Sequence, residues 1–210
     1  MKAQRLAARF AVVATLALSG CVTTGVQELP KLESWDQRQD VLGALEEWSL
    51  RGRLGIRTPE DASSGNLKWR QEGPSFVAEI DGPLGIGGVR AFGDPDAVTL
   101  EGSRIDTVTV TDPGNELFRQ TGLQVPIEGL RYWLLGVPVP SLPAEVVQGA
   151  NGLPERIIQA GWDIEFREYR TWSLNPLPRR IVANSDETRL TIVVRDWDIR
   201  EQGQIASSSN

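Results

Sequence analysis

The chain has 210 residues, of which 40% are hydrophobic and 24% charged, with one cysteine and no histidine. This length suits a single domain with one hydrophobic core. The lack of histidine excludes Ser–His and Cys–His catalytic pairs and His-ligated metal sites, and a lone Cys21 excludes a disulfide within the chain. Most common catalytic arrangements are therefore excluded at the outset.

The first 20 residues have the pattern of a bacterial lipoprotein signal peptide. Basic residues are followed by an apolar run over 10–18, which is too short to span ~30 Å of hydrocarbon as a helix. The run ends in Leu18-Ser-Gly-Cys21, which resembles a lipobox. We predict removal of 1–20 and diacylglyceryl and N-acyl groups on Cys21, with no other cofactor. The alternative is ordinary secretory cleavage beside an incidental cysteine.

The charge of the remaining chain restricts the class of partner. Without residues 1–20 it has 19 basic and 28 acidic residues, a net charge of −9. This charge disfavours nucleic acid and broad adhesion to anionic lipid. Only two of the 19 basic residues are lysines. We attribute this bias mainly to codon composition, although a few arginines could face phosphate or carboxylate groups, which the guanidinium fork fits well.

Hydrophobic periodicity predicts a tether over 21–34, one folded domain over 35–200 and a frayed tail over 201–210. The domain begins with an amphipathic helix over 35–48, after which the apolar period changes to two. About ten short strands follow. They lie at 50–56, 67–70, 76–80, 89–92, 98–100, 105–110, 156–160, 162–170, 179–183 and 189–197. Two helices interrupt them, at 113–122 and 126–136.

This order of elements predicts the fold class. Helices at the start and middle, rather than between successive strands, disfavour a parallel doubly wound sheet. A sheet of about ten strands tends to curl or close. We therefore predict a mainly β fold, in which a strongly curved antiparallel sheet or incomplete barrel has apolar helix faces over one opening.

The catalytic candidates are weak. Asp94 with Asp96, and Asp196 with Asp198, are carboxylates two residues apart, but alternation along a strand commonly produces such pairs. The sequence contains no phosphate-binding glycine loop, nucleophile elbow or calcium-loop spacing. We predict no catalytic residue and no metal site. An envelope hydrolase that uses Asp196 is kept as a third hypothesis.

Two features do suggest a binding function. The segment Asp81-Gly-Pro-Leu-Gly-Ile-Gly-Gly88 holds apolar side chains in a predicted turn. Such side chains need a bilayer, a partner's cavity or the protein's own core. In addition, seven of the 14 aromatic residues are tryptophans. Each could simply fill the core, but together they could line an apolar pocket for an acyl chain.

Several short motifs follow one another along the folded part. They are Trp48-Ser-Leu-Arg-Gly-Arg-Leu54, Trp69-Arg-Gln71, Gly82-Pro-Leu-Gly85, Leu130-Arg-Tyr-Trp-Leu-Leu-Gly-Val-Pro-Val-Pro140, Gly161-Trp162, Tyr169, Leu177-Pro178 and Trp197. In this order and behind a lipobox, the chain resembles the LolB family of outer-membrane lipoprotein receptors over about 35–200.

The resemblance implies an unclosed antiparallel β-barrel with a helical lid over an apolar cavity. It also implies a function without catalysis. The protein would be a lipid-anchored monomer that faces the periplasm, takes acylated lipoproteins from the soluble carrier LolA and inserts them into outer-membrane lipid. The runner-up hypothesis is a structural outer-membrane lipoprotein that binds a protein partner through a sheet edge in an envelope assembly complex.

The resemblance also nominates site residues. It assigns the loop of Pro83, Leu84, Gly85 and Ile86 to membrane insertion. Together with the periodicity, it predicts that the acyl cavity is lined by Trp48, Leu54, Trp69, Ile80, Leu130, Trp133, Leu134 and Trp162.

Overall fold

The computed structural model describes residues 29–82, 88–103, 105–122 and 124–199. The helices are α1 (Trp35–Gly43), α2 (Pro113–Thr121) and α3 (Ile127–Leu135). The strands are β1 (Glu47–Arg57), β2 (Ala62–Glu72), β3 (Ser75–Asp81), β4 (Val89–Gly93), β5 (Val98–Gly102), β6 (Ile105–Val110), β7 (Ala144–Gln148), β8 (Pro154–Gln159), β9 (Trp162–Trp172), β10 (Asn175–Asn184) and β11 (Arg189–Ile199). Cys21, the loop 83–86 and the tail 201–210 lie outside the described residues.

All of these strands form one antiparallel sheet, in the order β6-β5-β4-β3-β2-β1-β11-β10-β9-β8-β7. The first strand pairs with the last, so the sheet joins two meanders at its centre, and α2 and α3 connect one meander to the other. Within the described ranges the outer strands β6 and β7 do not pair with each other. The sheet therefore curls without closing, and the predicted fold class is confirmed.

Alternation of side chains gives the sheet one apolar face. In β1, Trp48, Leu50 and Leu54 are buried, whereas Arg51 and Arg53 between them are exposed. The same alternation runs along β2 and the first part of β11. Because successive strand residues point to opposite faces, the concave face is apolar and the outer face is charged.

Two strand glycines permit close approach of neighbouring backbones where the sheet curls. A β-carbon on Gly52, beside an irregularity in the β1–β11 register, would lie 2.5 Å from the carbonyl oxygen of Val193. A β-carbon on Gly65 would lie 2.4 Å from that of Asp81. Both distances are too short for a side chain, so the curvature requires glycine at these positions.

Helices α2 and α3, which we call the lid, begin and end where their capping residues predict. The side chain of Asp112 accepts a hydrogen bond from the Asn115 amide (3.0 Å), and Pro113 opens α2. Gly122 and Gly136 terminate α2 and α3 in the left-handed conformation, at φ 71° and 78°. These bounds agree with the helices predicted over 113–122 and 126–136.

Two elements differ from the sequence prediction. Helix α1 ends at Gly43 rather than at residue 48, because Trp48 already faces the core as part of β1 and pairs with Ile199. Strand β7, between Pro143 and Gly149, was not predicted. It is an edge strand with mostly exposed side chains, so its burial pattern carries little alternation.

The segment 29–34 packs on the domain, in contrast to the tether predicted over 21–34. Leu29 and Leu32 are buried. The side chain of Asn175 accepts a hydrogen bond from the Leu32 amide and donates one to the carbonyl of Pro30, both at 2.8 Å. Asn175 begins β10, so no local sequence pattern reveals this contact.

Helix α1 is fixed at the same place by a buried cation. Arg38 is only 2% exposed and donates to the carbonyl of Pro176 at 2.8 Å. Burial lowers the pKa of its guanidinium and raises the pKa of the neighbouring Tyr169 hydroxyl.

In the described part of the chain, no helix has the length and apolar character needed to cross a membrane.

Candidate functional site

An apolar cavity lies between the concave face of the sheet and the two central helices. The helical side contributes Leu117 of α2, Ile127 and Leu130 of α3, and Val125 between them. The sheet contributes residues from six strands: Leu54, Leu67, Trp69, Ala78, Ile80, Val89, Ala91, Leu100 and Ile192. Every one of these lining residues is hydrophobic. A polar ligand buried here would lose its hydrogen bonds to water without replacement, so the cavity suits an apolar ligand.

Two alanines leave room beneath the helices. Ala78 of β3 lies directly opposite Ala91 of β4, and the same cross-strand row continues to Trp69 on one side and Leu100 on the other. The enclosed space is nevertheless only about 30 Å³, far below the ~300–1,000 Å³ of typical ligand pockets. The space between the sheet and the two helices is thus closed in this structure, and an apolar ligand of ordinary size would fit only if α2 and α3 moved.

The C-terminal end of α3 is firmly attached. The buried side-chain oxygen of Gln159 accepts hydrogen bonds from the indole N–H of Trp133 (3.0 Å) and the amide of Val139 (2.8 Å). Its side-chain nitrogen donates to the carbonyls of Val139 and Leu142, both at 3.0 Å. One glutamine of β8 therefore holds the helix end and the chain that follows it.

The junction between α2 and α3 is more weakly held. The side chain of Gln120 accepts from the Asp106 amide of β6 at 2.8 Å, and that of Gln124 accepts from the Ser185 hydroxyl at 3.0 Å. Both bonds are at the exposed surface, where water can replace them at little cost. Among the described residues, the hydrogen bonds that tie the α2–α3 junction to the sheet are therefore more exposed than those that tie the C-terminal end of α3.

A wider polar cleft of about 270 Å³ lies beside this junction. Its lining includes Asp112, Glu128 and Glu187 together with Phe118, which is 46% exposed. Burying an apolar ligand there would desolvate the carboxylates, so this cleft does not suit an apolar ligand. Val125 lines both the cleft and the apolar cavity. The cleft therefore extends to the α2–α3 junction.

The structure divides the eight predicted cavity residues into two groups. Four of them, Leu54, Trp69, Ile80 and Leu130, line the apolar cavity. The other four, Trp48, Trp133, Leu134 and Trp162, are buried in the core outside its described lining. Trp133 and Trp162 pack against each other, with ring centroids 6.2 Å apart, and Trp162 also lines the polar cleft beside the α2–α3 junction.

Trp48 belongs to a row of aromatic rings that crosses the sheet at one end. The row runs through Phe76, Trp69, Trp48, Trp197 and Trp172, with successive centroids 5.0, 6.0, 5.5 and 6.3 Å apart. These rings pack into or against the hydrophobic core, with Phe76, Trp172 and Trp197 only partly buried. Most of the tryptophans therefore close this end of the sheet, and Trp69 alone of the row lines the cavity.

Sequence reasoning missed most of the sheet lining. Leu67 lies on the same strand face as the predicted Trp69, and Ala78 on the same face as Ile80. Strand periodicity could therefore have assigned both residues to the inner face. Ala78 and Ala91 were not predicted, because small residues contribute little to a hydrophobic pattern. Their significance depends on the register that places Ala78 against Ala91.

The two carboxylate pairs that were the catalytic candidates lie in a turn and on an exposed strand face. Asp94 accepts hydrogen bonds from the amides of Asp96 (2.9 Å) and Ala97 (3.1 Å) and so shapes the β4–β5 turn. Asp196 and Asp198 are exposed on β11, opposite Arg51 and Ser49. Over the described ranges, no three His, Cys, Asp or Glu residues cluster closely enough to hold a metal ion.

The ionisation of Glu116 makes the stability of α2 depend on pH. Its carboxylate accepts hydrogen bonds from Arg119 and from Gln120 (2.6 Å), the residue that contacts Asp106 of β6. The hydrogen bonds from Arg119 and then Gln120 lower the pKa of Glu116 from 4.5 to about 2. The ionised Glu116 carboxylate therefore makes its full contribution to folding stability above pH 4.5, its ordinary pKa. This contribution is lost as the pH falls through the folded-state pKa of about 2.

We accordingly expect α2 to loosen between pH 4.5 and about 2. Hydrogen exchange of the α2 amides, corrected for the intrinsic pH dependence, should accelerate over this range. A Glu116→Gln variant should show the looser α2 throughout and no change across the range. If the parent protein protects α2 equally at both pH values, Glu116 does not hold the helix.

Comparison with known proteins identifies the family. A family model described as outer membrane lipoprotein LolB matches residues 46–197. The outer-membrane lipoprotein LolB of Alkalilimnicola ehrlichii is 35% identical over 188 residues, which cover 89% of this chain and 94% of that protein. The LolB of Nitrosococcus oceani is 34% identical over 194 residues, 90% of this chain and 95% of that protein.

A solved structure supports the fold independently. A LolA-superfamily protein from Nitrosomonas europaea superposes with a TM-score of 0.51 at 6% identity, over 81% of this chain and 95% of that one. At this identity the likeness shows only a shared architecture. The family model and the relatives, by contrast, match most of the chain in sequence. The chain belongs to the LolB family of outer-membrane lipoproteins.

Proposed function

We propose that this protein is a lipid-anchored receptor that takes acylated lipoproteins from the soluble carrier LolA and inserts them into the outer membrane. The observation that carries the proposal is the all-hydrophobic cavity beneath α2 and α3, with the C-terminal end of α3 held by buried hydrogen bonds and the α2–α3 junction by exposed ones. Membership of a lipoprotein-trafficking family, which is not an enzyme family, supports it. No catalytic step is required.

Reception would begin at the α2–α3 junction. Acyl chains reach Val125 through the polar cleft, displace Leu117 and Ile127, and spread over the concave face toward Ala78 and Ala91. Each buried methylene contributes ~0.8 kcal/mol, which offsets the loss of the weak bonds of Gln120 and Gln124. The helices pivot about the end that Gln159 holds.

Delivery needs no nucleotide if the affinities increase along the route. The cavity has to bind the acyl chains more tightly than the carrier does, and the bilayer more tightly than the cavity. Acyl groups on Cys21 would keep the domain at the membrane. Leu84, at the centre of the apolar loop, would enter the hydrocarbon during insertion.

A transfer assay tests this proposal. Carrier loaded with a triacylated lipoprotein is mixed with the protein, and cargo is followed first onto the protein and then into liposomes. We expect Leu84→Glu to receive cargo normally but to deliver little of it, because a carboxylate resists entry into hydrocarbon. Normal delivery by this variant would contradict the role of the loop. A folded parent that received no cargo would contradict reception itself.

A second function is favoured by a different surface. On the outer face of β7 and β8, Val147 and Ile158 are 43% and 36% exposed beside an edge strand. This edge could bind a protein partner in an envelope assembly complex by strand addition. Titration with a fluorescent acyl probe discriminates the two functions, because edge binding needs no cavity. A single saturable acyl site favours the receptor, and its absence favours the assembly function.

A further inference from the structure

The outer face of the sheet centre is basic, although the whole chain has a net charge of −6. Arg51, Arg53 and Arg57 lie on the outer side of β1, and Arg189 and Arg195 lie on the neighbouring β11. All five are exposed, and Arg57 lies directly opposite Arg189. We refer to these five residues as the arginine face.

Nearby groups neutralise little of this charge. Arg195 donates to the carbonyl of Gly52 (3.2 Å) and the side-chain oxygen of Asn66 (3.0 Å), both of which are uncharged acceptors. Across the described residues, none of the five arginines forms an ion pair. The carboxylates that adjoin them on β11 are Asp196, opposite Arg51, and Asp198, opposite Ser49 at the end of the face. The face therefore has free guanidinium groups to offer a ligand.

Acidic turns limit the face at one end of the strands. Glu60 and Asp61 follow β1, and Asp186 and Glu187 precede β11. Arg51 and Arg57 are six residues apart on one strand, which corresponds to about 20 Å. The positive charge is thus spread along the flat of the sheet, and an anionic ligand would meet the sheet surface rather than the turns.

The composition of the face favours phosphate groups over a protein partner. Protein interfaces are usually centred on buried aromatic or aliphatic side chains. The large hydrophobic residues that are exposed in the described chain all lie on other elements: Phe118, Leu142, Val147, Ile158 and Leu174. Guanidinium groups, in contrast, match phosphate oxygens with paired hydrogen bonds.

We propose that the arginine face docks the domain on the anionic headgroups of phospholipids. A member of an outer-membrane lipoprotein family is held close to such a surface, where each arginine adds an attraction that salt screens. Docking through the outer face of β1 and β11 leaves the concave face and its helices on the side away from the bilayer. The lid is then accessible from the aqueous phase. This inference does not rest on the proposed acyl site.

The test places a probe within the arginine face. Ser64 is exposed on β2 and lies opposite Gly55, between Arg53 and Arg57. Full-length Ser64→Cys protein is labelled with bimane and reconstituted in phosphatidylcholine vesicles, with or without phosphatidylglycerol, that contain a headgroup-nitroxide lipid. We expect about twofold or greater quenching when phosphatidylglycerol is present, and loss of the difference at high salt. A Ser75→Cys probe, at the start of β3 beside the β2–β3 turn, should not respond to the lipid composition.

Two charge-matched double variants separate specific docking from net charge. Arg53→Gln with Arg189→Gln should lower the docking equilibrium about thirtyfold, and lysine at both positions should restore most of it. Arg156→Gln with Arg167→Gln removes the same charge from arginines that are paired with Asp163 and Glu165, and should have little effect. Equal quenching in both vesicle types, or identical behaviour of the two glutamine variants, would overturn the proposal. An acidic protein would then be the partner left for this face.

Discussion

We expect Ala91→Leu to lower the affinity of the protein for an acyl chain by about thirtyfold while the domain remains folded. Ala91 faces the space beneath the lid, directly opposite Ala78. A leucine there occupies the volume of about three methylenes of the ligand, each of which contributes ~0.8 kcal/mol when buried. The loss is about 2 kcal/mol, and 1.4 kcal/mol corresponds to a factor of about ten in affinity.

Titration with a fluorescent acyl probe measures this effect. Thermal unfolding monitors the cost of overpacking, about 1–3 kcal/mol, which a folded domain can tolerate. Ala62→Leu, on the exposed end of β2, is the matched control and should bind as the parent does. If Ala91→Leu and Ala62→Leu bind the probe equally, the acyl chain does not occupy the space between the sheet and α2 and α3.

The largest loss of stability is expected from Gln159→Leu. This change removes four hydrogen bonds and leaves the indole N–H of the fully buried Trp133 without an acceptor. An unsatisfied buried donor costs ~1–3 kcal/mol, so the total destabilisation should be about 3 kcal/mol. For a domain of this size, the melting temperature should fall by about 6–12 °C.

Circular dichroism during heating gives the melting temperature. The control is Gln148→Leu, an exposed glutamine on β7, which should change stability by no more than about 0.5 kcal/mol. Because Gln159 holds the C-terminal end of α3, hydrogen exchange should also increase in α3 before the sheet unfolds. A Gln159→Leu protein that melts like the parent would show that these bonds do not anchor the helix.

The sequence predicted the features that depend on local chemistry. The alternation in β1 and β2 is strict because one face is buried, and Asp112, Pro113 and Gly122 mark the ends of α2 with groups that act within one turn. The antiparallel class followed from the order of the elements. These features need no knowledge of distant contacts, so a single sequence contains them.

The cavity lining was harder to predict because it depends on register and on distant contacts. Trp48 and Trp69 are both inward-facing tryptophans near the same end of the sheet, yet only Trp69 reaches the cavity. Periodicity assigns a residue to a face but not to a position along it. Gln159 and Asn175 were not predicted either, since their partners are 20 and 143 residues away in the chain.

A photo-crosslinking experiment tests the central claim, which is that acyl chains bind between the sheet and the lid. Carrier is loaded with a lipoprotein whose acyl chains contain a diazirine, the cargo is passed to this protein, and the complex is irradiated. Peptide mass spectrometry then locates the crosslinks. We predict them on the concave sides of β2 to β5, around Leu67, Ala78 and Leu100, and on Leu117 and Leu130 of the lid. Crosslinks confined to the outer face or to the β7 edge would contradict an acyl-chain receptor of this design.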